Sequence, residues 1–228
     1  MWRTCLSVLL SLLLLLPWHG ACVQAAFLAP APVTPEVPHT PAPGMFLVAS
    51  RAVHDQYFTA TVVFLLLHNE HGSLGIIVNH PAQVRLGEWM PELAGTPLAT
   101  MTMHYGGPVY TQDMTVLVED WTKKNPADDP ERVFHVTGRL YASFDPGILK
   151  ELQPAHTEPQ RRLRCYFGHL GWYAGQLERE IQHHYWHLVP GNVDAVFGPD
   201  SGSLWQRLID RLEPLDRVVP PGISLRTQ

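Results

Sequence analysis

The chain has 228 residues, 46% of them hydrophobic and 16% charged, which is enough apolar material for a real core and excludes global disorder. Sixteen Lys and Arg stand against 21 Asp and Glu, a formal charge of −5. That balance argues against a broad polyanion-binding surface, so no nucleic-acid partner is expected. Three cysteines are too few for a disulfide scaffold.

Residues 1–25 read as an export signal. Arg3 supplies a short positive region, and Leu6 to Leu16 form an apolar run shorter than the roughly 20 residues needed to span a bilayer as a helix. Pro17 breaks the run, and Val23 and Ala25 place small residues at a cleavage site after Ala25. The mature chain is then expected to be periplasmic or secreted, with no transmembrane helix. Gly20-Ala21-Cys22 resembles the end of a lipoprotein box, although His19 stands where a leucine-like residue is usual. A lipid anchor on Cys22 is therefore the rival route. Cleavage after Ala25 would leave Cys165 as the lone thiol.

Residues 26–43 form a proline-rich linker. Six prolines between Leu28 and Pro43 remove backbone donors and favour extended, polyproline-like chain. One domain is expected from Gly44 to Arg217, followed by a coil tail at 218–228.

Within that domain Met45 to Ala49 and Ala60 to His68 are apolar and β-branched, as buried strands are. Asn69 to Gly72 is a polar turn, and Leu74 to Val78 returns as the second arm of a hairpin. Leu86 to Leu93 predicts a short helix made irregular by Pro91. Thr102 to Tyr105 runs into a Gly106-Gly107-Pro108 turn. Met114 to Val118 and Val133 to Val136 read as strands around a polar loop, Thr122 to Glu131, and Gly138 turns into Leu140 to Phe144.

Asp145-Pro146 is a helix-start signal. Leu163, Cys165 and Phe167 alternate with Arg162, Arg164 and Tyr166, a half-buried strand. A helix from Ala174 to about Tyr185 follows. Ser201 or Ser203 is then expected to cap a last helix with Leu204, Leu208 and Leu212 inward. Strands come first and longer helices late, which predicts an α+β fold.

The segments GMFLVAS at Gly44, TVVFLLLHNEHGSLGIIVNHP from Thr61 to Pro81, GGPV at Gly106 and GHLGWYAGQLERE from Gly168 to Glu180, with Trp186 beyond, resemble the YqgE/AlgH family of bacterial proteins. The likeness runs from Gly44 to about Leu212. It implies an α+β fold with a bifurcated mixed β-sheet curled into a pseudo-barrel and flanked by helices. It implies no established activity, no cofactor and no metal ligands. The chain departs from the family at Asn79-His80-Pro81, where Asn-Arg-Pro is usual, at Gly168 to Trp172, where Gly-Tyr-Ala-Gly-Trp is usual, and in carrying an export signal.

The richest candidate site is a glycine-spaced loop, Gly168 to Gly175, between the Leu163–Phe167 strand and the helix. Glycines let a backbone approach a ligand, and the first N–H groups of a helix favour an anion. Gln176 would add an amide and Arg164 a positive charge, while Trp172 either seals the core or stacks on the ligand. The ligand-binding candidates are therefore Arg164, Gly171, Trp172, Gly175 and Gln176, with Asn79, Gly106 and Gly107 as a second locus. The expected partner is a small anionic ligand or another protein. The same glycines also serve a plain strand-to-helix turn, since their spacing is neither a dinucleotide fingerprint nor a P-loop.

Glu180, His183, His184 and His187 crowd the end of the helix, but they lack the His-Glu-x-x-His order of a zinc protease and read as helix-end histidines rather than metal ligands. His68 and His71 flank a turn. Cys165 points inward as a small hydrophobe. No complete nucleophile–base set is present. The sequence therefore favours a noncatalytic ligand-binding or regulatory protein, with a small-molecule hydrolase working near Gly168–Gly175 as the alternative.

Overall fold

The structure, a computed structural model, describes residues 40–120, 132–152 and 162–214. The expected signal segment with Cys5 and Cys22, the expected linker before Thr40, the loop at 122–131 and the expected tail lie outside the described residues.

β1 (Met45–Ala49) is buried along its whole length, as its unbroken apolar run requires. β2 (Val62–Asn69) and β3 (Gly72–Ile77) form the expected hairpin, paired from Val63–Ile77 to Asn69–Gly72. β4 (Pro81–Arg85) leads into α1 (Leu86–Trp89), a single turn ended before Pro91. After two 3-10 turns come β5 (Thr102–Tyr105), β6 (Val109–Glu119), β7 (Phe134–Thr137) and β8 (Leu140–Ser143). α2 (Ile148–Leu152) precedes β9 (Leu163–Tyr173), α3 (Gln176–Gln182) and β10 (Trp186–Pro190). α4 (Val193–Phe197) and α5 (Leu204–Leu212) close the described chain, and α5 carries the last-helix stripe as expected.

The ten strands of the described residues form one mixed, curled sheet with two arms that share β9, and the helices flank it. One arm runs β10-β1-β2-β3-β9, and the other continues β9-β6-β8-β7, with β5 and β4 joined to β9 at the fork. Every pairing is antiparallel except β5 with β9, where His104 faces Tyr166 and Tyr105 faces Phe167. This is the α+β pseudo-barrel that the resemblance implied.

Three apolar clusters fill it. Phe46, Phe64 and Ile76 from the first arm meet Leu117, Ala142 and Tyr166 from the second, and α4 and α5 cover them through Val196, Leu204 and Ile209. The opposite face of the first arm packs Leu47, Val63, Leu65, Leu170 and Trp172 against Leu177 of α3. The opposite face of the second arm buries Met114, Val116 and Cys165 under α1 and α2. Each large side chain so buried contributes roughly 1.5–3 kcal/mol. Cys165 is fully enclosed, as its alternation predicts, and burial pushes its thiol up to about 12.

One expectation fails at the fork. The Leu163 strand does not end at Phe167; β9 runs straight through Gly168 and Gly171 to Tyr173. Its first half pairs with β6 and its second half with β3. Leu163, Cys165 and Phe167 face one cluster, whereas beyond Gly168 the even residues Leu170 and Trp172 face another. Gly168, at φ 69°, absorbs this change of face as a bulge glycine does.

Three further corrections concern local chemistry. β4, β10 and α4 carry no sufficient local signal, because β4 alternates between exposed and half-buried residues and α4 is one turn capped by Asn192. α3 is shorter than expected, ending at Gln182. Ser203 does not cap α5 with its side chain; its hydroxyl donates to the Asp200 carbonyl oxygen instead.

Candidate functional site

β9, α3, β10 and the loop after β1 enclose a cleft of about 380 Å³, within the usual range for a small-molecule site. Its walls are aromatic: Trp172 from β9, Trp186 from β10, Phe58 from the β1–β2 loop and Tyr185 before β10. Trp172 and Trp186 meet edge to face at 6.4 Å, and Phe58 meets Trp186 likewise at 6.1 Å. Both indoles are largely buried, so the walls are set by the core behind them.

Glu180, on α3, organises the polar end. Its Oε2 accepts the indole N–H of Trp172 at 2.9 Å and that of Trp186 at 2.8 Å. Its Oε1 accepts from the Gln176 amide at 2.9 Å, one helical turn back. Gln176 in turn accepts the Tyr173 N–H at 3.1 Å. One carboxylate thus ties two strands and a helix together while facing the cleft. Asp55, at the exposed end, uses Oδ1 to accept the N–H groups of Tyr57 and Phe58, which shapes the loop carrying Phe58.

The structure divides the expected site residues. Gly171, Trp172 and Gln176 line the cleft, and a β-carbon added to Gly171 would meet nothing within 4 Å. Gly106 and Gly107 stand behind its wall: Gly106 accepts the Ile77 N–H and donates to the Phe167 carbonyl, and the chain then delivers Pro108 and Val109 to the lining. Gly175 takes a left-handed φ of 70° ahead of α3 and lies outside the lining.

Asn79 is buried elsewhere, its Oδ1 accepting the Val62 N–H and its Nδ2 donating to the Ala60 carbonyl. Arg164 is held at the opposite end of β9, where its guanidinium donates to the Val196 and Gly198 carbonyls and lies over Phe197. From residue 164 to 171 is roughly 20 Å of extended strand. Arg162 likewise pairs with Glu119 and Asp194. The positive charge expected beside the glycines is therefore absent from the cleft, whose lining contains no Lys or Arg.

Sequence reasoning placed Glu180 only among histidines and missed the β1–β2 loop altogether. The signal available for Glu180 was its i, i+4 spacing from Gln176. The histidines nearby do not assemble with it: His187 pairs with Glu213 at 2.5 Å. Among the described residues no group of three or more His, Cys, Asp or Glu is placed to hold a metal ion. His68 bonds the Ser73 hydroxyl at 2.8 Å. No described helix is long and apolar enough to cross a membrane.

The model of the AlgH-like family, DUF179, matches residues 46–215, which takes in every strand but the first residue of β1. The chain belongs to the AlgH-like family. Within it, a UPF0301 protein of Methylococcus capsulatus is 31% identical over 72% of this chain and 86% of its own length. A UPF0301 protein of Thermobifida fusca is also 31% identical, over 74% and 85%. The solution structure of AlgH from Pseudomonas aeruginosa superimposes with a TM-score of 0.61 at 25% identity, covering 81% of this chain and 98% of that one. A crystal structure from Corynebacterium diphtheriae gives 0.60 at 24% identity, covering 75% and 87%. The overall AlgH-like fold is thus common ground.

Proposed function

We propose that this protein is a noncatalytic ligand-binding or regulatory protein, exported from the cytoplasm, whose site is the aromatic cleft beside Glu180. The observation that carries the reading is the use of polar groups there. Glu180, Gln176 and Asp55 each hold part of the cleft in shape, and none of the lining residues is Ser, Thr, Cys or Lys. Rigid aromatic walls with few polar groups suit recognition, since little ordering entropy is lost on binding.

The test is a small-molecule panel screened by thermal shift and ligand-detected NMR against the wild type and Gly171→Leu. Gly171 lines the cleft and a β-carbon there meets nothing within 4 Å, so a leucine should alter the cleft and leave the fold intact. Hits abolished by the substitution support the reading; hits unaffected by it move the site elsewhere. Conversion of a hit to product, lost in Gly171→Leu, would favour the hydrolase alternative. Export is tested by N-terminal sequencing of protein from its own host, with a start near Ala26 expected and a retained Met1 contrary to it.

A further inference from the structure

We propose that the cleft takes a small organic cation, a quaternary or tertiary ammonium head group, rather than an anion; this rests on the cleft being a ligand site. Two independent features converge. The walls are four aromatic side chains, and the negative π-face of an indole or phenol ring attracts a cation, more strongly where water is excluded. The charged groups converging on the same space are Glu180 and Asp55, with no Lys or Arg in the lining to balance them.

The carboxylate of Glu180 is held by three neutral donors, two indoles and one amide. These donors fix its position, and among the described residues no ion pair compensates its charge, so a cation entering the cleft supplies a countercharge. An anion would meet that carboxylate and the exposed Asp55 in a lining without Lys or Arg, the Arg179 guanidinium lying by Gly175 outside the lining. His54 is the remaining titratable lining residue of this loop, and it is exposed. Bulky alkylammonium groups fit better than a hydrated lysine-type ammonium, because the walls offer few acceptors for N–H donors.

The experiment compares choline with 3,3-dimethyl-1-butanol, its uncharged carbon isostere, and with acetate. Binding is read from the indole N–H resonances of Trp172 and Trp186 and from tryptophan fluorescence. Choline should bind at least about tenfold tighter than the isostere, within the range expected of a desolvated cation–π site. Acetate should give no saturable shift.

Glu180→Gln keeps an oxygen to accept an indole N–H, and should reduce the preference for choline over the isostere to within about threefold. Gly171→Leu should abolish both. Equal affinity for choline and isostere, each lost in Gly171→Leu, overturns the cation assignment and leaves the ligand site standing. An isostere or acetate that binds more tightly than choline also overturns it. A response to phosphatidylcholine vesicles with none to free choline overturns it as well. No shift of either indole with any of these probes, combined with a library screen indifferent to Gly171→Leu, removes the ligand site itself.

Discussion

A β-carbon on Gly168 would lie 2.1 Å from the carbonyl oxygen of Gly107. The two backbones therefore touch where the sheet forks, and reciprocally a β-carbon on Gly107 would lie 2.3 Å from the His169 carbonyl oxygen. Gly168→Ala combines that clash with backbone against a left-handed φ of 69°. It should cost more than about 3 kcal/mol, measured by urea denaturation. Gly171→Ala, a few residues further along the same strand and facing open space, is the control and should stay within about 1 kcal/mol. Comparable losses at both positions would contradict the close-contact account.

Arg164→Ala should destabilise the fold by about 2 kcal/mol, through two carbonyl acceptors left on α4 and Gly198 and the lost contact with Phe197. Read as an exposed strand residue, it would instead be neutral. The same variant should leave ligand binding at the cleft unchanged, since the guanidinium sits at the other end of β9. Chemical denaturation alongside a binding titration separates the two effects.

His104 should make stability fall as the solution is acidified. Burial, with the nearby Arg164 charge, lowers its pKa from 6.5 to about 4. The unfolded chain therefore takes up a proton below pH 6.5 that the folded protein refuses until about pH 4. The stability contribution is complete above pH 6.5 and declines across that window, by up to roughly 3 kcal/mol. His80 and His169 are lowered by burial in the same sense. Denaturation midpoints from pH 7 to 4 for the wild type and His104→Gln isolate the one group, whose removal should flatten the slope. Parallel curves would show that His104 is not the source.

The packed chain starts before Gly44. Pro41 is buried, and a hollow of about 170 Å³ joins Thr40 and Pro41 to Glu178, Ile181 and Gln182 on α3. The Ala42 carbonyl also accepts the Met45 N–H at 3.2 Å. A chain beginning at Gly44 should therefore be less stable than one beginning at Val37 by about 1–2 kcal/mol. Equal melting temperatures would return residues 40–43 to the linker.

Most of the strands were legible in the amino-acid order. Met45 to Ala49 and Val62 to Asn69 are dense in apolar and β-branched residues, and the polar Asn69 to Gly72 turn between β2 and β3 specifies their hairpin locally. The inward placing of Cys165 followed from simple alternation. The same alternation misled at Gly168, since a period of two continues only while a strand keeps the same neighbours along its edges. β9 pairs with β6 and β5 along its first half and with β3 along its second, and no residue near Gly168 records which partner comes next.

The cleft was legible in part, as Gly171, Trp172 and Gln176, because these lie close together along the chain. Of its other pieces, Glu180 lies one turn along α3 from Gln176, while Phe58 and Trp186 come from two other segments. The role of Glu180 depends on two indole N–H groups that reach it from different strands, and the role of Arg164 on carbonyls about 30 residues away. Local spacing decides which side chains share a face of their own element. Which donors and acceptors those side chains then meet is decided by strand partners brought together through long-range packing.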